Sequence, residues 1–212
     1  MVITEILMAN KKIKHNYQSI EGWFNMEAQY LELLNHCPDG GTFVELGCFK
    51  GKSTSFIVTE IINQKRNVNF TTIDSFKGAT ESKDENEIKA YDGIKNIFLD
   101  FIQNTKNIVK WFIKEPNDNV GFDERFVVIK DLSHEGAEWF KDGSVDCLFI
   151  DAGHSYEAVK KDIEAWLPKI KPNGIIAGHD YNSWAGVKKA VDEKFGTPHK
   201  VENDCWFIYL ER

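Results

Sequence analysis

The chain has 212 residues, with 26 Lys and Arg against 33 Asp and Glu and a formal net charge of −7. That length suits one full domain, or one domain with a small lid, and a hydrophobic fraction of 42% with 13% aromatic residues excludes a disordered chain. The acidic balance argues against nonspecific nucleic-acid binding, which needs a basic footprint.

The first residues, MVITEILMANKKIKHNY, lack the apolar run of a signal peptide. No stretch approaches the ~18 apolar residues of a membrane span. Cys37, Cys48, Cys147 and Cys205 are widely spaced with no CxxC, so neither structural zinc nor a disulfide framework is expected. A cytoplasmic protein is the resulting expectation. TEILMANKK and MEAQYLELLNH read as helices around the link NYQSIEGWF, a helical cap over residues 1–40 that either covers a sheet or forms a lid. GTFVELG then reads as a short apolar strand ending in glycine, KSTSFIVTEIINQ has helical spacing, and VNFTTIDS is a second β-branched strand. This parallel β-α-β unit opens the main body, residues 41–212. ATESKDENEIKAYDG at 79–93 reads as an exposed loop, and Ile94, Ile97, Phe98 and Phe101 lie at helical spacing. WFIKEPNDNVGFDE is ambiguous, because Pro116 and Gly121 interrupt any regular element.

RFVVIKDLS is a third strand and HEGAEWFKDG a short helix and turn. VDCLFIDAG is apolar without alternation, as a central parallel strand should be. HSYEAVKKDIEAWLPKI is an amphipathic helix ended by Pro168 and a KPNG turn, and GIIAGHDY is a fifth strand. SWAGVKKAVDEKF is a helix for which Ser183 is a candidate cap. PHKVENDCWFIYLER reads as two antiparallel edge strands around Glu202–Asp204. The fold class is α/β with a mostly parallel, mixed sheet.

In open α/β sheets, ligands bind beyond the carboxyl ends of the strands. There the chain places Glu45 and the Gly47-Cys-Phe-Lys-Gly51 turn, then Asp74, Asp131 with Ser133, Asp151 with His154, and His179 with Asp180. The two glycines allow a tight turn and close approach to a ligand at a helix N-terminus. The spacing is neither a P-loop nor GxGxxG. Asp74 is placed to accept hydrogen bonds from ribose hydroxyls. Asp151, His179 and Asp180 form an oxygen and nitrogen cluster for either a cation or a hydrogen-bond network; an imidazole there suits Mn²⁺ or Zn²⁺ more readily than Mg²⁺. His154 opens a helix with Ser155 and is a candidate general base, against a capping role. His134 and the other histidines lack comparable company and read as surface or local hydrogen-bond residues. IEGWF and Tyr181–Trp184 are candidate aromatic walls for an acceptor.

FVELGCFKGKST, TTIDSFKG and above all VDCLFIDAGHSYEAVKKDIEAWLPKIKPNGIIAGHDY resemble the class I S-adenosylmethionine-dependent methyltransferases. The resemblance is to the branch of macrocin-type sugar O-methyltransferases and cephalosporin-hydroxylase-like proteins, and it runs from IEGWF at 20–24 to the last strand. It implies a Rossmann-like fold, with a mostly parallel mixed sheet, an antiparallel C-terminal strand and helices on both faces. It implies S-adenosylmethionine as cofactor: Glu45, Gly47 and Gly51 in the first motif, Lys52 and Ser53 near the methionine portion, Asp74 on the ribose, and Asp131, Leu132 and Ser133 beside the adenine. It further implies Asp151 and His154 as catalytic residues, His154 being the base, and Asp151, His179 and Asp180 as metal ligands. Mg²⁺ is the metal of such relatives, with Mn²⁺ or Zn²⁺ behind it; His179 departs from the oxygen ligand they carry.

The implied reaction is methyl transfer to a hydroxyl of a small molecule such as a sugar, glycoside, vicinal diol or catechol, with no nucleic-acid or membrane partner. A metal-dependent hydrolase and a non-catalytic cofactor- or partner-binding protein are the competing readings. The apolar cap helices make a homodimer an expectation.

Overall fold

The computed structural model describes residues 12–78, 96–114 and 125–211. Eight strands form one sheet: β1 (Thr42–Leu46), β2 (Asn69–Asp74), β3 (Phe112–Lys114), β4 (Phe126–Lys130), β5 (Val145–Ile150), β6 (Ile170–Gly178), β7 (Lys200–Glu202) and β8 (Cys205–Tyr209). Their order is β3-β4-β2-β1-β5-β6-β8-β7. All pairs from β3 to β6 are parallel, and β8 joins β6 and β7 in antiparallel pairs. The helices are α1 (Glu27–His36), α2 (Lys52–Asn63), α3 (Ile97–Thr105), α4 (Tyr156–Trp166) and α5 (Ala185–Phe195).

Strand alternation divides the apolar residues between two layers. Phe43, Phe70, Val128, Phe149 and Phe207 face the layer of α1, α2 and α3, where Tyr30, Leu33, Ile57, Ile61 and Phe101 are buried. Val44, Ile73, Val127, Leu148, Ile176 and Trp206 face the other layer, with Val159, Ile163 and Trp166 of α4 and Val187 and Val191 of α5. Both faces of the central strands are covered, which is why VDCLFI carries no polar alternation apart from Asp146. Each such side chain contributes about 1.5–3 kcal/mol by burial.

β2 lies on one side of β1 and β5 on the other, so the winding direction reverses at β1. A crevice opens at such a switch point. The ladder continues one residue beyond the strands: Gly47 N–H donates to Ile73 O (2.8 Å), Asp151 N–H to Leu46 O (2.8 Å) and His179 N–H to Ile150 O (3.1 Å). These bonds bring the residues that follow three strands to one level.

Four details differ from the sequence reading. Phe112–Lys114 forms a short edge strand within the ambiguous segment. HEGAEWFKDG holds a 3₁₀ turn, Glu135–Trp139, in place of a short α-helix. The KPNG stretch lies inside β6, where the pairing shifts between Val145 and Cys147 and Asn173 takes φ +63°. Ser183 does not cap α5; its hydroxyl donates to Asp204. Residues 4–11 of the expected helix TEILMANKK and the loop at 79–93 lie outside the described residues. Among the described residues, no helix is long and apolar enough to cross a membrane.

Candidate active site

A cavity of about 640 Å³ opens beyond the carboxyl ends of β1, β2, β4, β5 and β6. That volume lies within the range of small-molecule sites. At one end the turn after β1 enters α2. Gly47 holds φ +81°, and a Cβ there would sit 2.0 Å from the Asp151 carbonyl oxygen, so only glycine fits between β1 and β5. Gly51 holds φ +86° as the N-cap of α2, with Phe101 and Thr105 packed against it.

Asp74 ends β2 beside this turn. Its Oδ2 accepts the N–H groups of Cys48 and Phe49, both at 2.9 Å, and its Oδ1 accepts that of Phe76 at 2.6 Å. A carboxylate offers roughly four acceptor sites, so about one remains for a ligand hydroxyl. Burial raises the pKa of Asp74, against the lowering effect of those N–H donors. Leu132, Ser133 and His134 line the same end, after β4.

Glu45 lies deeper, fully buried and outside the cavity lining. Its Oε1 accepts hydrogen bonds from Tyr30 (2.9 Å) and Ser53 (2.7 Å), and its Oε2 from Thr54 (2.5 Å) and Thr72 (2.8 Å). It therefore ties α1, β2 and the start of α2 together. Burial raises its pKa, opposed by the four hydroxyl donors.

At the other end, Asp151, His154, His179 and Asp180 meet. His154 Nε2 lies 2.9 Å from Asp180 Oδ2 and 3.9 Å from Asp151 Oδ1. His179 Nδ1 lies 3.3 Å from Asp180 Oδ1 and 3.8 Å from Asp151 Oδ1. Ser155 caps α4 by accepting the Ala158 N–H (3.2 Å), and the ring of Trp184 stacks on His154 with centroids 5.0 Å apart and planes at 16°. Burial works against the charged form of Asp180, yet hydrogen bonds from His154 and His179 hold its carboxyl well below the usual range. Burial likewise disfavours a charged His179, but the Asp180 hydrogen bond and the Asp151 and Asp180 charges outweigh it and raise its pKa.

Two loops wall the cavity. Gly22–Met26 lies against the turn after β1: Lys52 Nζ donates to Gly22 O (2.9 Å), Lys50 pairs with Glu21 (2.8 Å), and the Trp23 ring lies 5.9 Å from that of Phe49. The Asp180–Trp184 loop is held by Asp204, whose backbone oxygen accepts the Tyr181 N–H and whose carboxylate accepts the Asn182 N–H (2.6 Å) and the Ser183 hydroxyl. Next to it, Asn203 Nδ2 donates to Asn25 O at 2.5 Å. Asn203 (φ +50°) and Asp204 (φ +62°) form the tight turn between β7 and β8, where two positive φ angles match the twist of a hairpin.

Of the residues singled out from the sequence, Gly47, Lys52, Ser53, Asp74, Leu132, Ser133, Asp151, His154, His179 and Asp180 line the cavity. Glu45, Gly51 and Asp131 do not; Asp131 Oδ1 accepts the Leu132 N–H at 2.9 Å. Trp23 and Trp184 serve as aromatic walls, whereas Tyr181 is buried with its hydroxyl on Asp192 (2.5 Å). His134 faces the cavity and is not a simple surface residue; its signal was its place directly after Leu132 and Ser133 at a strand end. Asn203 and Asp204 carried no such signal.

S-adenosylmethionine fits the first end: a buried acid for a ribose hydroxyl, a glycine turn and an apolar flank at Ile73, Ile97 and Leu132. For a divalent cation, the Asp151 and Asp180 carboxylates fit a hard ion such as Mg²⁺, while the imidazole of His179 does not.

Residues 44–181 match the family model described as a methyltransferase domain. A 46-residue stretch is 41% identical to the uncharacterized protein y4gI of Sinorhizobium fredii; it covers 22% of this chain and spans only 5% of that protein's length. Among solved structures, the O-methyltransferase NovP aligns with a TM-score of 0.58 at 18% identity, over 88% of this chain and 78% of its own. The calicheamicin methyltransferase CalS11 aligns with a TM-score of 0.63 at 15% identity, over 98% and 90%. Both share the fold. With the family model spanning the chain from β1 past β6 and the cavity lying at the sheet's switch point, the chain belongs to the methyltransferase-domain family.

Proposed function

We propose that the protein methylates a hydroxyl of a small molecule bearing adjacent oxygens: a sugar, a glycoside or a vicinal diol such as a catechol. The observation that carries this reading is the convergence of His154, Asp151, His179 and Asp180 at one end of the cavity that Asp74 borders at the other. A structural relative, CalS11, is described as a TDP-rhamnose 3'-O-methyltransferase, which fits a sugar acceptor.

S-adenosylmethionine, when bound, supplies a methyl group already activated on a sulfonium, so this chain's task is alignment and proton removal. Asp74 would accept one ribose hydroxyl, Ser133 and Leu132 would border the adenine, and Lys52 and Ser53 would hold the methionine portion. His154 takes the acceptor's hydroxyl proton at its other ring nitrogen, with Nε2–H donated to Asp180 and the ring stacked on Trp184. Removal of that proton would leave the acceptor oxygen as the nucleophile for the methyl group, with S-adenosylhomocysteine as the leaving group. A divalent cation, where used, would be held by Asp151, Asp180 and His179 and would lower the pKa of the acceptor hydroxyl. We place this chemistry in a reducing, cytoplasmic setting, consistent with Cys37, Cys48, Cys147 and Cys205 all being free thiols.

Calorimetry with S-adenosylhomocysteine tests the cofactor half. Wild type should bind, and Asp74→Ala should bind about tenfold or more weakly, in line with a lost charged hydrogen bond of about 1.5–3 kcal/mol. A mass-spectrometric screen of nucleotide sugars, glycosides and catechols tests the acceptor half. On the acceptor found, His154→Ala should lower kcat by about 10²–10⁴-fold with S-adenosylhomocysteine affinity intact. No cofactor binding, or full turnover by His154→Ala, would sink the corresponding half.

A further inference from the structure

We infer that Asp204, in the turn between β7 and β8, is a positioning residue for His154: by holding the Asp180–Trp184 loop in one shape, it sets both contacts that fix the His154 ring. The inference rests on the proposed function in taking His154 as the base. Asp204 lies beyond residues 44–181, the span that the family model matches, so its role does not come with the family.

His154 is gripped by the two ends of one short loop. At the start of the loop, Asp180 Oδ2 lies 2.9 Å from His154 Nε2; at its end, the Trp184 ring stacks on the imidazole with planes at 16°. The ends are joined to each other, since Trp184 N–H donates to Asp180 O at 3.0 Å. All three residues between them bond to Asp204. Tyr181 N–H donates to its backbone oxygen (3.1 Å), and the Asn182 N–H (2.6 Å) and the Ser183 hydroxyl donate to its carboxylate. One carboxylate oxygen of Asp204 also lies within 4.8 Å of a ring nitrogen of His179 and a carboxylate oxygen of Asp180, so the turn packs against the strand end that carries them. Asp204 does not line the cavity, and it acts on His154 through the loop.

The loop needs such a hold. Asp180 has φ +62°, a left-handed conformation that L side chains rarely adopt and that persists where surrounding contacts over-determine it. Relaxation toward negative φ would swing the Asp180 carboxylate off His154 Nε2 and carry Trp184 away from the imidazole. The turn that prevents this is itself anchored: β7 and β8 pair on either side of it, and Asn203 Nδ2 donates to Asn25 O at 2.5 Å. A misplacement of about 1 Å at a reacting group can cost about 10²-fold in rate, so a contact outside the cavity can govern turnover.

The test uses the whole protein labelled with 5-fluorotryptophan, as wild type, Asp204→Gly and Asp204→Asn. Glycine accepts the positive φ, and Asn-Gly is a favoured pair for a two-residue hairpin turn, so Asp204→Gly removes the carboxylate and leaves the turn. Asp204→Asn keeps an oxygen for the Asn182 N–H and an amide for the Ser183 hydroxyl. The fluorine resonance of Trp184, assigned by its loss in Trp184→Phe, needs no acceptor. In Asp204→Gly it should move toward its position in His154→Ala, where the stacking partner is gone, and in Asp204→Asn it should stay at its wild-type position. On the acceptor that the screen yields, Asp204→Gly should lower kcat about 10- to 100-fold with the KM for S-adenosylmethionine unchanged, and Asp204→Asn should recover most of the loss. A Trp184 resonance unmoved by Asp204→Gly, an unchanged kcat, or equal losses in the two variants would overturn the inference. S-adenosylhomocysteine binding, measured on every sample, reports that the variant is folded. The two readings fail separately: an inactive His154→Ala with an unmoved Trp184 resonance in Asp204→Gly sinks this inference alone, whereas full turnover by His154→Ala sinks the proposed base.

Discussion

The two ends of the cavity hold their acids in opposite ways. Beneath the cofactor end, Glu45 takes four protein hydroxyls, and Asp74 takes three backbone N–H groups. At the acceptor end, Asp151 and Asp180 face two imidazoles, mostly at separations of 3.3–3.9 Å, and one short contact joins Asp180 to His154. The first arrangement is a finished scaffold that needs no rearrangement for binding. The second is looser, as catalytic contacts often are before substrate draws them together. One chain thus uses acids as structural anchors at one end and as ligand-facing groups at the other.

The largest break in that comparison should come from Glu45→Ala, which leaves the hydroxyls of Tyr30, Ser53, Thr54 and Thr72 buried without their acceptor. Urea unfolding should show a loss of about 3–5 kcal/mol. A loss under ~1 kcal/mol would mean that the hydroxyls find other partners and that Glu45 is no anchor.

Acid sensitivity should then separate the two ends by sign. Glu45 is raised above 4.5, so the fold favours its acid form; that contribution is complete below the unfolded value and fades as pH rises through the higher folded value. Asp180 is lowered below 3.8, so its contribution is present above that value and is lost as pH falls toward the folded one. On going from about pH 7 to about pH 3, the stability advantage of wild type over Glu45→Gln should widen and that over Asp180→Asn should narrow. Each change is at most about 1.4 kcal/mol for every tenfold difference in acidity constant between the folded and unfolded chain, and for Asp180 only the part between its unfolded value and about pH 3 is read. Parallel trends in the two variants would erase the distinction.

The smallest effects concern the aromatic walls. Trp184→Ala removes the ring stacked on His154 and should cost about 0.5–1.5 kcal/mol beyond its lost burial. Trp23 is 68% exposed, and Trp23→Ala should leave thermal unfolding within about 0.5 kcal/mol of wild type. Equal effects from both would show that the two walls are not built differently.

What the sequence made legible follows from range of interaction. The strands β1, β2, β4, β5 and β6 announce themselves by short runs rich in apolar and β-branched residues without strict alternation, because parallel strands are covered on both faces. Asp74, Asp151, His154, His179 and Asp180 were readable because a strand end is a local feature and the cavity lies at strand ends. The fate of Glu45 was not readable, since its four donors come from α1, α2 and β2. At KPNG the turn spelled by proline and glycine is carried inside a strand: Ile170 pairs with Val145 and Ile175 with Cys147, and the four residues between them bulge from β6. Phe112–Lys114 stays in the sheet as a short edge strand through its ladder to β4 alone, a contact that periodicity does not reveal.

The turn at Asn203 and Asp204 carries a consequence for how the protein is made. It grips Asn25, 178 residues earlier, and the Asn182–Ser183 backbone and hydroxyl on the opposite wall. A chain is synthesised from its N-terminus at about 5–20 residues per second, and earlier segments begin folding first. The acids and imidazoles of the cavity therefore leave the ribosome well before the piece that draws its two walls together. Until residue 203 emerges, the growing chain holds the reactive groups without the contacts that tie the two walls together.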